Sequence, residues 1–247
     1  MSFISKLFDS KEPEPSPREE FVDYFSKSVK PIVQFEYITL GELQLPTGEI
    51  IVCDPLVSLG MGYNKVRPFI RKVPSGSYPV TIAVVVDSEW GNRYAAARLQ
   101  FSSKEIVRWE LALRVGDDPK ELKEPDDIFG FPVDAGLGCF CDKQTEEKYE
   151  VFINQWEKEH PGLNNYDDYF AKFFEESYRA KPLYQRNGGD WINWSVPNTD
   201  NNVIMFASGF GDGYYPSYWG LDKENTPVCL VIQFISPDEF SEDEDEC

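Results

Sequence analysis

A single histidine, His160, stands in a chain of 247 residues. A Ser–His or Cys–His pair, or a His-bearing zinc site, has only this one imidazole to draw on, and it lies in the helix-breaking segment His160-Pro161-Gly162. No Gly-x-Ser-x-Gly elbow, Gly-x-Gly-x-x-Gly turn or phosphate-binding P-loop occurs. No apolar run approaches the length of a membrane span, and Met1–Phe8 lacks an apolar core of signal-peptide length. Cations are scarce: 24 Lys and Arg face 43 Asp and Glu, giving a net charge of −19. Such a field repels nucleic acid and anionic membranes and favours a basic protein partner. The five cysteines are odd in number and contain no Cys-x-x-Cys pair. That pattern argues against a disulfide framework and for a reducing, cytoplasmic setting.

Aromatic residues, in contrast, make up 15% of the chain, which favours a β-rich fold. The densest stretch is Ser208–Asp222, where Gly209, Gly211, Gly213 and Gly220 alternate with Tyr214, Tyr215, Tyr218 and Trp219. The stretch reads as a turn-rich surface loop, in which glycines permit tight turns and close backbone approach, and aromatics supply rigid area for packing or for a ligand. Asp212, between two glycines, reads as an organiser of turn amides. An EF-hand is excluded, because its alternating oxygen ligands and closing Glu are missing.

The chain divides by composition. Residues 1–17 end in the Pro-rich Lys11–Pro17 and are expected to form a mobile appendage. Residues 18–236 are expected to form one globular domain, opening with a short helix over Arg18–Ser28. Residues 237–247 form an acidic tail: Asp238–Cys247 contains seven acids and no base. Within the domain, Glu42–Leu45 and Glu49–Asp54 read as a hairpin around Pro46-Thr47-Gly48. Tyr78–Asp87 and Arg93–Phe101 read as strands, the first buried through Thr81–Val86. Ile106–Arg114 alternates, with Val107, Trp109, Leu111 and Leu113 on one face. Glu146–Glu159 and Tyr166–Tyr178 carry helical spacing, and Val203–Ala207 and Val228–Phe234 are strands. The fold expected is α+β: a mainly antiparallel, sandwich-like β body with two helices inserted between its N-terminal and C-terminal strands.

Three constellations carry chemical possibilities. Val133–Asp142 brings Asp134, Asp142, Cys139 and Cys141 together, but four zinc ligands are not at hand, so no metal and no cofactor are expected. Asp134, Asp142, Asp212 and Glu110 are candidates to line a pocket beneath the glycine–aromatic segment. Arg93, Arg98, Arg108, Glu110 and Arg114 are candidates for one sheet surface that either binds an anionic ligand or forms an ion-paired network under the helices.

Several motifs recur in a fixed order: Gly41–Gly48, Cys53-Asp-Pro-Leu56, Val73–Val80, Arg108-Trp-Glu110, Val133–Gly136 with Gly138-Cys-Phe140, and Ser208–Gly220. Together they resemble the bacterial domain of unknown function 4241 family, from about Gly41 to Phe234. Cys141 departs from that pattern, and the Pro-rich start and acidic tail lie outside it. The resemblance implies no activity. The functional expectation is a non-catalytic cytoplasmic binding protein, such as an immunity protein that neutralises a basic bacterial toxin. Asp134, Asp142, Asp212, Glu110, Arg108, Tyr214, Tyr215, Tyr218 and Trp219 would form its partner surface. The alternative is a hydrolase, or a small-ligand or divalent-cation binder, using the clustered carboxylates.

Overall fold

The computed structural model describes residues 24–25, 35–61, 66–86, 91–124, 127–236 and 239. Most of the helix expected over Arg18–Ser28 falls outside these residues, as do the Pro-rich start and all of the acidic tail except Glu239.

Two antiparallel sheets form the body. The strands are β1 (Phe35–Leu45), β2 (Ile50–Cys53), β3 (Gly76–Val85), β4 (Arg93–Gln100), β5 (Arg108–Leu111), β6 (Gly130–Val133), β7 (Leu137–Asp142), β8 (Trp191–Ser195), β9 (Asn202–Ala207), β10 (Gly213–Leu221) and β11 (Pro227–Gln233). The larger sheet has seven strands, with β1-β3-β4-β11-β10-β5 side by side and β6 pairing the first half of β10. The smaller sheet runs β2-β7-β9-β8. Two helices, α1 (Lys143–Glu159) and α2 (Ala171–Ala180), follow β7. A π-helical turn at Tyr166–Phe170 leads into α2. The α+β expectation holds, with both helices between the N-terminal and C-terminal strands.

The smaller sheet is covered on both faces, which explains why its strands read as nearly unbroken apolar runs. Ile50, Val52, Phe140, Ile204 and Phe206 join the core shared with the larger sheet. Ile51, Cys53, Cys139, Cys141, Ile192, Trp194 and Met205 point the other way, into a second core with Tyr149, Ile153 and Trp156 of α1, Phe174 of α2 and Phe170 just before it. Residues alternate between the two cores with the period of a strand. Trp194 anchors the helical side, 5.3 Å from the Phe170 ring and 5.8 Å from that of Tyr149.

Three local expectations are corrected. Glu42–Leu45 and Glu49–Asp54 do not form a hairpin: β1 pairs with β3, and β2 with β7. Pro46-Thr47-Gly48 carries the chain from one sheet to the other, and the buried Asp142 carboxylate fixes that crossing. Its Oδ2 accepts from Thr47 N at 3.0 Å, Thr47 Oγ1 at 2.8 Å and Gly48 N at 3.1 Å. Its Oδ1 accepts from Gln144 N at 2.8 Å and caps α1. Gly48 is obligatory at this point, with φ +71° and a would-be Cβ only 1.9 Å from the Val73 carbonyl oxygen.

The second correction concerns Ile106–Arg114. Only Arg108–Leu111 is strand, Val107 is exposed, and Ala112 is buried beside Leu111. The strand is short because β10 must share this edge between β5 and β6. The third concerns the glycine–aromatic segment, most of which is β10, inside the larger sheet rather than a loop on its surface. Trp219 is 1% exposed and packs against Phe69 with ring centroids 5.7 Å apart.

Replacing Asp142 tests the crossing. Asp142→Ala removes a helix cap and the acceptor of three donors, a loss of about 3 kcal/mol and roughly 6–12 °C in melting temperature for a domain of this size. Asp142→Asn is expected to cost nearly as much, because its amide nitrogen cannot accept from Thr47 and Gly48. Thermal unfolding of the two variants reads this directly, and an Asn variant as stable as the parent would show that the crossing is held by other contacts.

Candidate functional site

Of the carboxylates singled out in the sequence, the structure gathers Asp134 and Asp212, with Asp54, around one turn between β6 and β7. Asp54 is fully buried and has all its acceptor capacity on backbone amides. Oδ2 takes Asp134 N at 3.0 Å and Ala135 N at 2.7 Å; Oδ1 takes Leu56 N at 2.9 Å and Val57 N at 3.3 Å. Asp212 Oδ1 accepts from Gly136 N at 3.2 Å. Two carboxylates thus hold three consecutive amides, those of residues 134, 135 and 136. The Asp134 side chain itself is exposed.

The others lie elsewhere. Asp142 sits at the sheet crossing described above. Glu110 is held bidentately by Arg71, at 3.0 Å from Nε and 3.2 Å from Nη2, with Arg108 at 3.3 Å. Arg108 also donates to Asn225. The arginine-rich face expected across the middle strands divides into separate groups: Arg114 pairs with Asp117, Arg98 lies 4.2 Å over the Phe25 ring, and Arg93 turns toward Phe210.

The aromatic set is corrected in the same way. Tyr215, Tyr218 and Trp219 are buried, so they are core residues and do not present a partner surface. Tyr214 is exposed, and its hydroxyl accepts from Gly130 N at 3.0 Å. The Tyr215 hydroxyl donates to the Gly211 carbonyl at 2.8 Å, and Ser208 Oγ donates to the same oxygen at 2.8 Å. These bonds set the turn Ser208–Gly211 between β9 and β10.

The thiols are structural in position. Cys53, Cys139 and Cys141 share the helix-facing side of the smaller sheet, with the sulfurs of Cys53 and Cys139 at 3.7 Å. Burial raises the Cys53 and Cys141 thiols well above the usual range, and bonding to Cys139 adds to it. Burial acts to raise the Cys139 thiol as well, but bonding with Cys141 and Cys53 draws it down. His160 is remote from them in function: Nδ1 donates to the Trp156 carbonyl at 2.8 Å and the ring stacks on Trp156. Among the described residues, no three His, Cys, Asp or Glu side chains are arranged to hold a metal ion.

One concave feature stands beside the Asp54 and Asp212 turn. It is a cleft of about 510 Å³, walled by the turns Ala135–Leu137 and Ala207–Gly211, the Asn164–Asp167 lead-in to α2, and Arg93, Arg186 and Asp190. Asn164 shapes its wall: Oδ1 accepts from Tyr166 N at 2.8 Å and Asp167 N at 3.0 Å, opening the π-helical turn. Arg186 and the buried Asp190 close the other side, with Nη2 2.6 Å and Nε 2.7 Å from Oδ1. Burial raises the Tyr166 hydroxyl, with the charges of Asp167 and Asp190 acting the same way and Arg186 against them. None of Asp134, Asp142, Asp212 and Glu110 lines this cleft. Arg186 and Asp190 escaped the sequence reading, although Arg186-Asn-Gly-Gly-Asp190 places opposite charges on either side of a glycine pair, a spacing that a tight turn can close.

Fold and site together define a two-sheet α+β domain in which carboxylates are used mainly to hold backbone, with one polar, arginine-bearing cleft at the sheet ends. The chain belongs to the family described as protein of unknown function (DUF4241), whose profile matches residues 43–232. No curated protein and no solved structure matches it.

The far end of β10 supplies a pH test of this carboxylate usage. Asp222 accepts from Glu224 N and Thr226 N, both at 2.9 Å, and pairs with Lys104 Nζ at 2.5 Å. Lys104 first, then the Thr226 amide, lowers the Asp222 carboxyl to about 2. A carboxyl lowered on folding stabilises the fold above its unfolded pKa of about 4 and loses that contribution as pH falls through the folded value. The difference in stability between the parent and Asp222→Asn is therefore expected to shrink between about pH 4 and pH 2. A difference that stays constant across that window would mean that folding leaves the Asp222 carboxyl unshifted.

Proposed function

We propose that this protein acts by binding rather than by bond-making, and that its partner is a basic protein of the kind an immunity protein neutralises. The observation that carries this reading is the division of labour among its acids. Asp54, Asp142 and Asp222 are buried and satisfied by backbone amides, so the acids left to meet other molecules are surface groups contributing to a net charge of −19. A surface of that sign attracts a basic partner over a distance and opposes nucleic acid and anionic lipid. The cytoplasm is the compartment this reading assumes, and the thiols of Cys53, Cys139 and Cys141, which form no disulfide among the described residues, suit it. The alternative of a hydrolase or divalent-cation binder requires Asp134, Asp142, Asp212 and Glu110 to converge, and the positions of Asp142 and Glu110 give that reading no support.

Affinity capture from the source cell, read by mass spectrometry, is the direct test, and a stoichiometric basic protein is the expected catch. Its association rate is expected to fall at least tenfold between low and physiological salt, in line with electrostatic steering. Replacing the seven acids of Asp238–Glu246 with their amides is expected to slow association while leaving dissociation nearly unchanged. Recovery of no basic partner, or association indifferent to salt, would remove the reading.

A further inference from the structure

Among the described residues, Arg93, at the start of β4, has no carboxylate paired with it. Its Nε is buried and has no hydrogen-bond partner. The contact its guanidinium does make is with the Phe210 ring, at 5.9 Å from the centroid. That distance is at the limit for a cation–π attraction and leaves Nε unsatisfied. A buried charged donor left unpaired is costly, and the cost is notable in a chain where acids outnumber bases by 43 to 24. Nearby Asp190 does not answer it. One Asp190 oxygen is held by the Arg186 guanidinium and the other by the Arg186 amide.

Arg93 lies on the wall of the cleft beside Ser208–Gly211, whose volume of about 510 Å³ falls within the ~300–1,000 Å³ of small-molecule sites. We propose that this cleft binds a small organic oxyanion, a phosphate ester or a carboxylate, with the Arg93 guanidinium as its principal anchor and Arg186 as a second cationic wall. A planar guanidinium donates two parallel N–H bonds to an oxyanion, and the unpartnered Nε is one of the two that such a fork requires. Asn165 lines the same wall, and its carboxamide makes no capping bond to the turn it precedes. Tyr166, whose hydroxyl stays protonated at neutral pH, offers a further donor. Leu137 and Phe210 give the cleft an apolar side for the carbon part of the ligand. Asp167 is the opposing charge: it lines the cleft and is exposed, so it works against an anion. This site is separate from the acidic surface proposed for the protein partner and stands whether or not that partner exists.

Inorganic phosphate and malonate serve as the two probes, each titrated at ionic strength held constant with potassium chloride. At about ten times its dissociation constant, the preferred anion is expected to raise the melting temperature of the parent by roughly 3–6 °C. Arg93→Gln should abolish that rise, and Arg93→Lys, which keeps the charge without the fork, should restore it only in part. Asp167→Asn should move the other way and tighten binding severalfold, an effect that a merely structural role for the cleft residues would not produce. A response to phosphate alone assigns phosphate esters, and a response to malonate alone assigns carboxylates. A response to neither overturns the proposal, as does an undiminished response in Arg93→Gln. Should Arg93→Gln fail to fold, amide shifts on titrating the parent decide: changes centred on Gly136 and Ser208–Gly211 uphold the site, and changes centred elsewhere overturn it.

Discussion

The architecture depends on one constraint: the smaller sheet is buried on both faces. Strands β2, β7, β9 and β8 have the larger sheet on one side and two helices on the other. A sheet so enclosed has no solvent to satisfy the backbone at the places where the chain enters and leaves it. The structure meets this with buried carboxylates, since one carboxylate accepts several amide bonds. Asp142 serves the end of β7 by holding the Thr47–Gly48 crossing and the first turn of α1 together. Asp54 serves the end of β2 by holding amides on both its own loop and the β6–β7 turn. The two acids stand at the two ends of the β2–β7 pair, where Ile50 faces Asp142 and Cys53 faces Cys139.

This arrangement also explains where an open cleft can form. Turns at the Asp54 end are held by side chains and cannot slide to fill space between the layers. The β6–β7 and β9–β10 turns are joined by the Asp212–Gly136 bond and by Ser208 N donating to the Gly136 carbonyl at 3.1 Å. The lead-in to α2 approaches from the helical side, stiffened by Asn164, and the Arg186–Asp190 pair approaches from β8. A concavity bounded by braced elements is preformed, so a ligand entering it would lose little to reorganisation.

How much of this was legible in the sequence depends on the range of the determining contact. β3, β4 and the two helices were readable because their apolar spacing is local and strong. The break at His160–Gly162 was readable for the same reason. Pro46-Thr47-Gly48 was misleading because a hairpin turn and a sheet crossing use the same residues. What separates them is a carboxylate that lies 95 positions from Thr47. The glycines of Ser208–Asp222 suggested a surface loop, yet Gly220 is in β10 because a Cβ there would stand 2.8 Å from Cys229 Sγ. Its aromatic neighbours fill the core that this close approach creates. Asp212 was legible as an organiser of turn amides, though which amide it holds was not. Arg93 looked like one of several strand cations, since the lack of a carboxylate opposite it among the described residues is a property of the fold alone.

A basic partner and an anion-binding cleft call for opposite fields from one molecule; length scale reconciles them. The net charge acts through the summed potential outside the protein and guides encounters over many ångströms, within a screening length of about 8 Å at physiological salt. A guanidinium with a buried Nε acts over hydrogen-bond distances in a less polar setting, where salt screens it much less. On the two proposals, added salt would weaken capture of a basic protein strongly, whereas for a small anion it would relieve the long-range repulsion while the short contact to Arg93 changed little. The two proposed activities would respond to ionic strength with opposite slopes, the anion binding gaining slightly because the repulsion is screened and the short contact is not. An acidic chain can thus carry one cationic recess without either function cancelling the other, provided the recess is deep enough that its arginine is read by contact rather than by field.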